Sequence, residues 1–123
     1  MWHLVYDPAE RLLTLSMREQ VFGRDMRDLA KAHARALEAT AGTPFRMLLD
    51  LRGLHPLDPE ASEMLGDMKR VAVRLDGYRG RAVLVDSPTI AMQQRNTTIE
   101  DGGDDRELIT PDPMKASEFL GER

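Results

Sequence analysis

Asp50-Leu51-Arg52-Gly53-Leu54-His55-Pro56-Leu57-Asp58-Pro59-Glu60-Ala61-Ser62-Glu63-Met64-Leu65-Gly66-Asp67-Met68 is the stretch that decides the fold. It begins on the end of a short, mostly apolar run, Phe45 to Leu51, the mark of a strand covered on both faces. A tight loop follows. Asp58 has the side chain of an N-cap, and Pro59 suits the first helical position, where its missing N–H leaves nothing unsatisfied. Glu60 then puts a carboxylate in the first turn, at the positive end of the helix dipole. Ala61, Met64, Leu65, Met68, Ala72 and Leu75 recur at three- and four-residue steps, so this helix should bury that stripe and close at Gly77. Strand, loop and capped helix form one α/β unit, and such strand-to-helix junctions are where open parallel sheets gather ligands.

Outward from this unit the same alternation continues. On the N-terminal side, Trp2 to Tyr6 and Arg11 to Met17 read as two strands of a hairpin turning near Asp7 to Glu10. Between about Arg24 and Ala41, Met26, Leu29, Ala30, His33 and Leu37 define one helical face, ended by Gly42-Thr43-Pro44. On the C-terminal side, Arg81 to Asp86 is a second covered strand. Ser87-Pro88 repeats the cap-plus-proline device and opens a helix to about Ile99, ended by Gly102-Gly103. Arg106 to Thr110 is a short last strand. Asp112 to Leu120 is a capped terminal helix with Ala116, Phe119 and Leu120 inward. The order is β-β-α-β-α-β-α-β-α, an α/β fold whose later strands must be parallel neighbours joined by crossover helices.

The bulk numbers set bounds. With 123 residues, one domain spanning 1–123 is expected. Hydrophobic residues at 41% and charged residues at 31% fit a folded globular chain. The 17 Lys+Arg against 21 Asp+Glu give a net charge of −4, which provides no electrostatic attraction to nucleic acid or an anionic membrane. Apolar runs are too short to span a bilayer, and the N-terminus lacks the pattern of a signal peptide. Cysteine is absent, which rules out disulfides and thiol chemistry and fits a cytoplasmic location.

The central motif resembles that of the STAS domain, the fold of bacterial anti-anti-sigma factors and of the cytoplasmic tails of sulfate transporters. Members show a strand ending in Asp-Leu-Ser-Gly-Val or similar, then, three residues on, an apolar position followed by Asp-Ser-Ser-Gly at a helix start. Asp50-Leu51-Arg52-Gly53-Leu54 matches the first part, and Leu57-Asp58 matches the second at the same spacing. Ala116-Ser117-Glu118-Phe119-Leu120 is similar to the family's closing helix. The chain is most similar to stand-alone bacterial members. The resemblance implies a mixed sheet of four to five strands with about four helices. It also implies a regulatory protein-interaction module, not an enzyme, whose partner would be an anti-sigma factor or a kinase-like regulator. In anti-anti-sigma factors the second serine of Asp-Ser-Ser-Gly accepts phosphate from that partner. Here Pro59-Glu60-Ala61 replaces Ser-Ser-Gly, so Glu60 stands at the phosphoacceptor position, with one charge where a phosphate brings about two. Ser62 is displaced from it by two residues.

Arg52, His55, Asp58, Glu60 and Ser62 are therefore the expected partner-binding residues. No catalytic residue, cofactor or metal is expected. Ser62 and Ser87 lack a Gly-x-Ser-x-Gly setting, and His3, His33 and His55 form no i,i+4 pair. Asp101-Gly102-Gly103-Asp104-Asp105 lacks the spacing of a calcium loop. His33, on an apolar helical face, is expected to be partly buried and bonded to a backbone group. Met47, Met64 and Met68 should fill core gaps. An alternative reading makes them the wall of a cavity for a small apolar, lipid-like ligand. The helix from Ser87 to Ile99, with Gln93, Gln94, Arg95, Asn96, Thr97 and Thr98, has a weak apolar face, so any homo-oligomer is expected to form there.

Overall fold

Trp2–Asp7 (β1) and Leu12–Met17 (β2) form the expected hairpin, with Trp2 opposite Met17 and Asp7 opposite Leu12. Asp7 makes its turn, Oδ1 accepting the N–H groups of Ala9 at 3.0 Å and Glu10 at 3.3 Å, an Asx device that substitutes a side chain for a backbone acceptor. The computed structural model describes residues 1–100 and 106–121. Within them lie Gly23–Ala39 (α1), Phe45–Asp50 (β3), Pro59–Val73 (α2), Tyr78–Leu84 (β4), Pro88–Glu100 (α3), Glu107–Thr110 (β5) and Pro113–Gly121 (α4). The helix stop expected at Gly102-Gly103 and the acidic turn from Asp101 to Asp105 lie outside the described residues.

The five strands pair in the order β1-β2-β3-β4-β5, parallel at every step after the hairpin. Each parallel step moves to the next neighbour in one direction, so right-handed crossovers carry α1, α2 and α3 to the same face. There Leu13, Leu15, Met47, Leu49 and Val83 of the sheet meet Met26, Leu29 and Leu37 of α1 and Leu65 and Met68 of α2. The other face is closed by α4, whose Ala116 and Leu120 cover Ala82 and Leu84. Arg46 fastens that helix by donating from Nη1 to the Leu120 carbonyl and from Nη2 to the Glu10 carbonyl, both at 2.7 Å.

Three details differ from expectation. The helix α2 ends at Val73, with Arg74 as its C-cap, and Leu75 is 38% exposed, outside the buried stripe. Gly77 does not close the helix. It lies at a close crossing, where an added Cβ would stand 2.3 Å from the Thr43 carbonyl oxygen. Beside it, the Phe45 N–H donates to the Gly77 carbonyl at 2.8 Å. Gly77→Ala should therefore cost about 1–3 kcal/mol, the usual penalty of overpacking, read as a lower urea midpoint; an unchanged midpoint would show that the crossing yields freely. The strand β4 also begins earlier than expected, at Tyr78, because that ring fills the core edge-on to Phe45 with centroids 6.1 Å apart.

The third difference concerns α3. Gln94 and Thr97 are buried, so part of the helix's polar surface turns inward, while Arg95 and Asn96 stay exposed. Gln94 Oε1 accepts from Lys69 Nζ at 3.0 Å, and Thr97 Oγ1 donates to the Gln93 carbonyl at 2.9 Å. Polar residues form the inner face because polar partners await them there.

Candidate functional site

The loop between β3 and α2 is pinned from four sides. Asp50, buried at the end of β3, accepts from Arg52 Nε at 2.9 Å and Nη2 at 2.7 Å, and from the Arg52 backbone N–H at 3.2 Å. These bonds hold the Asp50 carboxyl below the ordinary carboxylate range, against the upward push of burial, and raise the Arg52 guanidinium in turn. Gly53 occupies the left-handed region at φ +79°, a conformation that favours glycine. Its N–H donates to Asp86 Oδ2 at 3.0 Å, at the end of β4. Its carbonyl accepts from the Glu19 N–H at 2.8 Å, and the His55 N–H donates to the Glu19 carbonyl at 2.9 Å. Leu54 and Leu57 insert into the core. Gln93 of α3 brackets Leu57, accepting its N–H at 3.3 Å and donating to its carbonyl at 3.1 Å. A surface loop with its backbone groups so widely satisfied is a rigid platform.

The helix start is built as expected. Asp58 Oδ1 accepts the Ala61 N–H at 2.8 Å, with Pro59 in the first turn. Glu60 is exposed and leans on α1. Its carboxylate lies 2.7 Å from where a Cβ on Gly23 would stand, and Oε1 accepts from Arg27 Nη1 at 3.3 Å. With both side chains exposed, this pair contributes about 1 kcal/mol at most. Arg52, His55, Asp58 and Glu60 thus share the exposed side of one loop and helix start. Ser62 departs from them. It is half-buried and faces α3, in a groove of about 390 Å³ lined with Pro59, Glu63, Gly66, Arg70 and Thr97.

Several residues that shape this site carried no obvious sequence signal. Asp86 and Gln93 hold the loop through contacts that only the fold creates. Deeper in, Glu107 Oε2 accepts from Arg81 Nε at 2.7 Å and from Lys69 Nζ at 3.1 Å, with all three side chains at most 3% exposed. This ionic node joins α2, β4 and β5. His33 is buried as expected but corrects the expected backbone bond: it makes no hydrogen bond within the described residues. Burial, then the nearby Arg81 charge, push its pKa down to about 4. Among the described residues no His, Asp and Glu side chains gather closely enough to hold a metal ion. No described helix is long and apolar enough to cross a membrane.

Solved structures share this architecture. A protein of the DUF3478 family with a SpoIIAA-like fold, from Shewanella loihica PV-4, superposes with a TM-score of 0.66 at 14% identity, covering 97% of this chain and 93% of that one. An anti-sigma factor antagonist from Mycobacterium paratuberculosis superposes with a TM-score of 0.64 at 13% identity, covering 98% and 95%. The fold is STAS-like. The five-stranded mixed sheet and four helices of this SpoIIAA-like arrangement agree with the architecture implied by Asp50 to Leu54 and Leu57-Asp58. No protein-family model matches the sequence, and no curated protein matches it. In this fold Glu60 opens α2 on the edge where the strand β3 delivers its loop.

Proposed function

We propose that the protein is a non-enzymatic regulatory module that docks a protein partner through Arg52, His55, Asp58 and Glu60, with Ser62 turned away toward α3. The partner is an anti-sigma factor or kinase-like regulator, by analogy with the anti-sigma factor antagonist that shares the fold. The observation that carries the reading is the pinned loop. It presents exposed polar side chains on a backbone that loses little freedom on binding, so less ordering entropy opposes association. Docking is not switched by serine phosphate, because Glu60 fills the phosphoacceptor position and is already engaged by Arg27. The protein acts in the cytoplasm.

The test is a double change that spares the helix cap. Asp58→Ser retains an N-cap, and Glu60→Lys reverses the exposed charge. Partner captured from source cells on immobilised wild-type protein should bind this variant about tenfold more weakly, a loss of about 1.4 kcal/mol, with circular dichroism unchanged. Equal retention by both proteins would refute the site. Intact mass measurement of protein from those cells should show no phosphate on α2.

The alternative apolar carrier has weaker support. Met47 and Met68 fill the core, and the apolar groove beside Met64 and Met68 is about 230 Å³. Pockets for whole small ligands run from about 300 to 1,000 Å³.

A further inference from the structure

The seam between α1 and α2 opens into that groove of about 230 Å³, lined by Ala30, His33 and Ala34 of α1 and Met64, Met68 and Val71 of α2. Asp67 stands on the lining too and is ion-paired with Arg70. The walls are otherwise apolar. His33 is the exception: it is 3% exposed, lines the groove, and makes no hydrogen bond within the described residues. Its ring nitrogens are not sealed off in the core, so an occupant of the groove can reach them. With its pKa pushed down to about 4, the ring is neutral at pH 7. A neutral imidazole presents one donor and one acceptor.

Size narrows the occupant. An apolar cavity of about 150 Å³ holds benzene, and whole small ligands need roughly 300 Å³ or more, so this groove suits one substituted ring. Methionine sulfurs favour aromatic edges. A phenylalanine would leave His33 unpaired, and a serine would leave the walls uncovered. A phenol does both tasks, because its hydroxyl donates and accepts. The groove is open at the surface, with Val71 52% exposed on its wall, so a ring can enter while attached to a larger molecule. It also continues the docking surface. Glu60 and Arg27 close the same α1–α2 seam, and Met64 lies one turn beyond Glu60, about 6 Å along the helix.

We propose that the α1–α2 groove is a socket for one tyrosine side chain of the protein partner, with the phenol hydroxyl hydrogen-bonded to His33. That the occupant belongs to a protein rests on the docking reading above.

The first test uses p-cresol, the tyrosine side chain by itself, against toluene. Both are titrated into the full-length protein and followed by methyl and imidazole NMR. p-Cresol should shift the Ala34 and Met64 methyls and the His33 ring, and bind about tenfold more tightly than toluene, the value of one hydrogen bond. His33→Leu should abolish that preference while toluene still binds. A p-cresol titration that leaves the groove signals unmoved, or a preference that survives in His33→Leu, overturns the socket. The second test fills the groove with Ala34→Phe at an exposed position of α1. This variant should bind captured partner about tenfold more weakly, with circular dichroism confirming the fold. If Ala34→Phe keeps the partner while Asp58→Ser/Glu60→Lys loses it, the socket falls and the docking surface stands. If both variants keep it, the docking reading falls and the tyrosine with it. A phenolic molecule co-purifying in native mass spectrometry would replace the side chain with a free ligand and overturn the proposal.

Discussion

Glu107→Gln should destabilise the protein by about 3–5 kcal/mol, the usual cost of removing one member of a buried ion pair. Against a total stability of about 5–15 kcal/mol, that loss would leave a sizeable unfolded population at 37 °C. The reason is geometric. Glu107 Oε2 receives Arg81 Nε at 2.7 Å and Lys69 Nζ at 3.1 Å in a site where no side chain is more than 3% exposed. An amide in its place is uncharged, so both cations lose the Coulomb attraction that Glu107 contributes against their desolvation. The measurement is urea unfolding, with a lower midpoint at unchanged slope. A double-mutant cycle with Lys69→Met should show coupling of about 0.5–3 kcal/mol, as expected for side chains in direct contact. A Glu107→Gln midpoint within about 1 kcal/mol of wild type would mean that the surroundings already neutralise the cations. The node also ties α2 to the edge strand β5 through Lys69 and Glu107, beside the Arg81 and Glu107 register pair of the sheet. Its loss should therefore weaken β5 pairing first, seen as faster amide exchange at Leu108 and Ile109 than in the hairpin.

The same node shows where local sequence reading stops. Met26, Leu29, His33 and Leu37 announce α1 because helical period and burial coincide there, and Asp58-Pro59 announces α2 because capping depends on neighbours within four residues. Such features are local, so element order, sheet topology and helix starts were legible. Lys69 carried a hint: it sits four residues after Leu65 and three before Ala72, on the buried side of α2. Its partners Glu107 and Gln94 come from β5 and α3, and nothing in the periodicity of those segments announces a contact so distant in sequence. The inward turn of part of α3 escapes local reading for the same reason. Gln94 and Thr97 look like solvent-facing residues until Lys69 and the Leu57 loop are brought against that helix. In the candidate site, Arg52, His55, Asp58 and Glu60 were placed together by proximity in the chain. Ser62 turned away because two further residues along a helix rotate the side chain by roughly 200°. The Asp50–Arg52 clamp was within reach of sequence reading, since a strand-end aspartate two residues before an arginine has a partner beside it.

His33 should make the protein lose stability as pH falls from about 6.5 to about 4, over and above the loss that its carboxylates cause. The imidazole is buried without a hydrogen bond and lies within the field of Arg81, so its folded pKa is about 4 against an ordinary 6.5. Between those values the unfolded chain binds the extra proton and the folded chain does not. Stability therefore rises with pH across that window and is flat with respect to this group above it. Below about pH 4 the full penalty is present, about 3 kcal/mol, because each pH step between the two values is worth about 1.4 kcal/mol. The groups that face the ring act in opposite directions. Arg81, from β4, opposes protonation, whereas Asp67 on the groove wall would favour it but is engaged by Arg70. Subtraction isolates the effect. Wild type and His33→Leu, unfolded in urea at intervals from pH 8 to pH 4, share every other titration, including that of Asp50. Their stability difference should be constant above pH 7 and should move by about 2–3 kcal/mol in favour of His33→Leu by pH 4. A difference that stays constant throughout would place the His33 pKa at its ordinary value, which requires the ring to be hydrated or hydrogen-bonded. In that case p-cresol would also lose its advantage over toluene in the groove, because water would already satisfy the imidazole. The two measurements share one cause, a neutral ring held without a partner between α1 and α2.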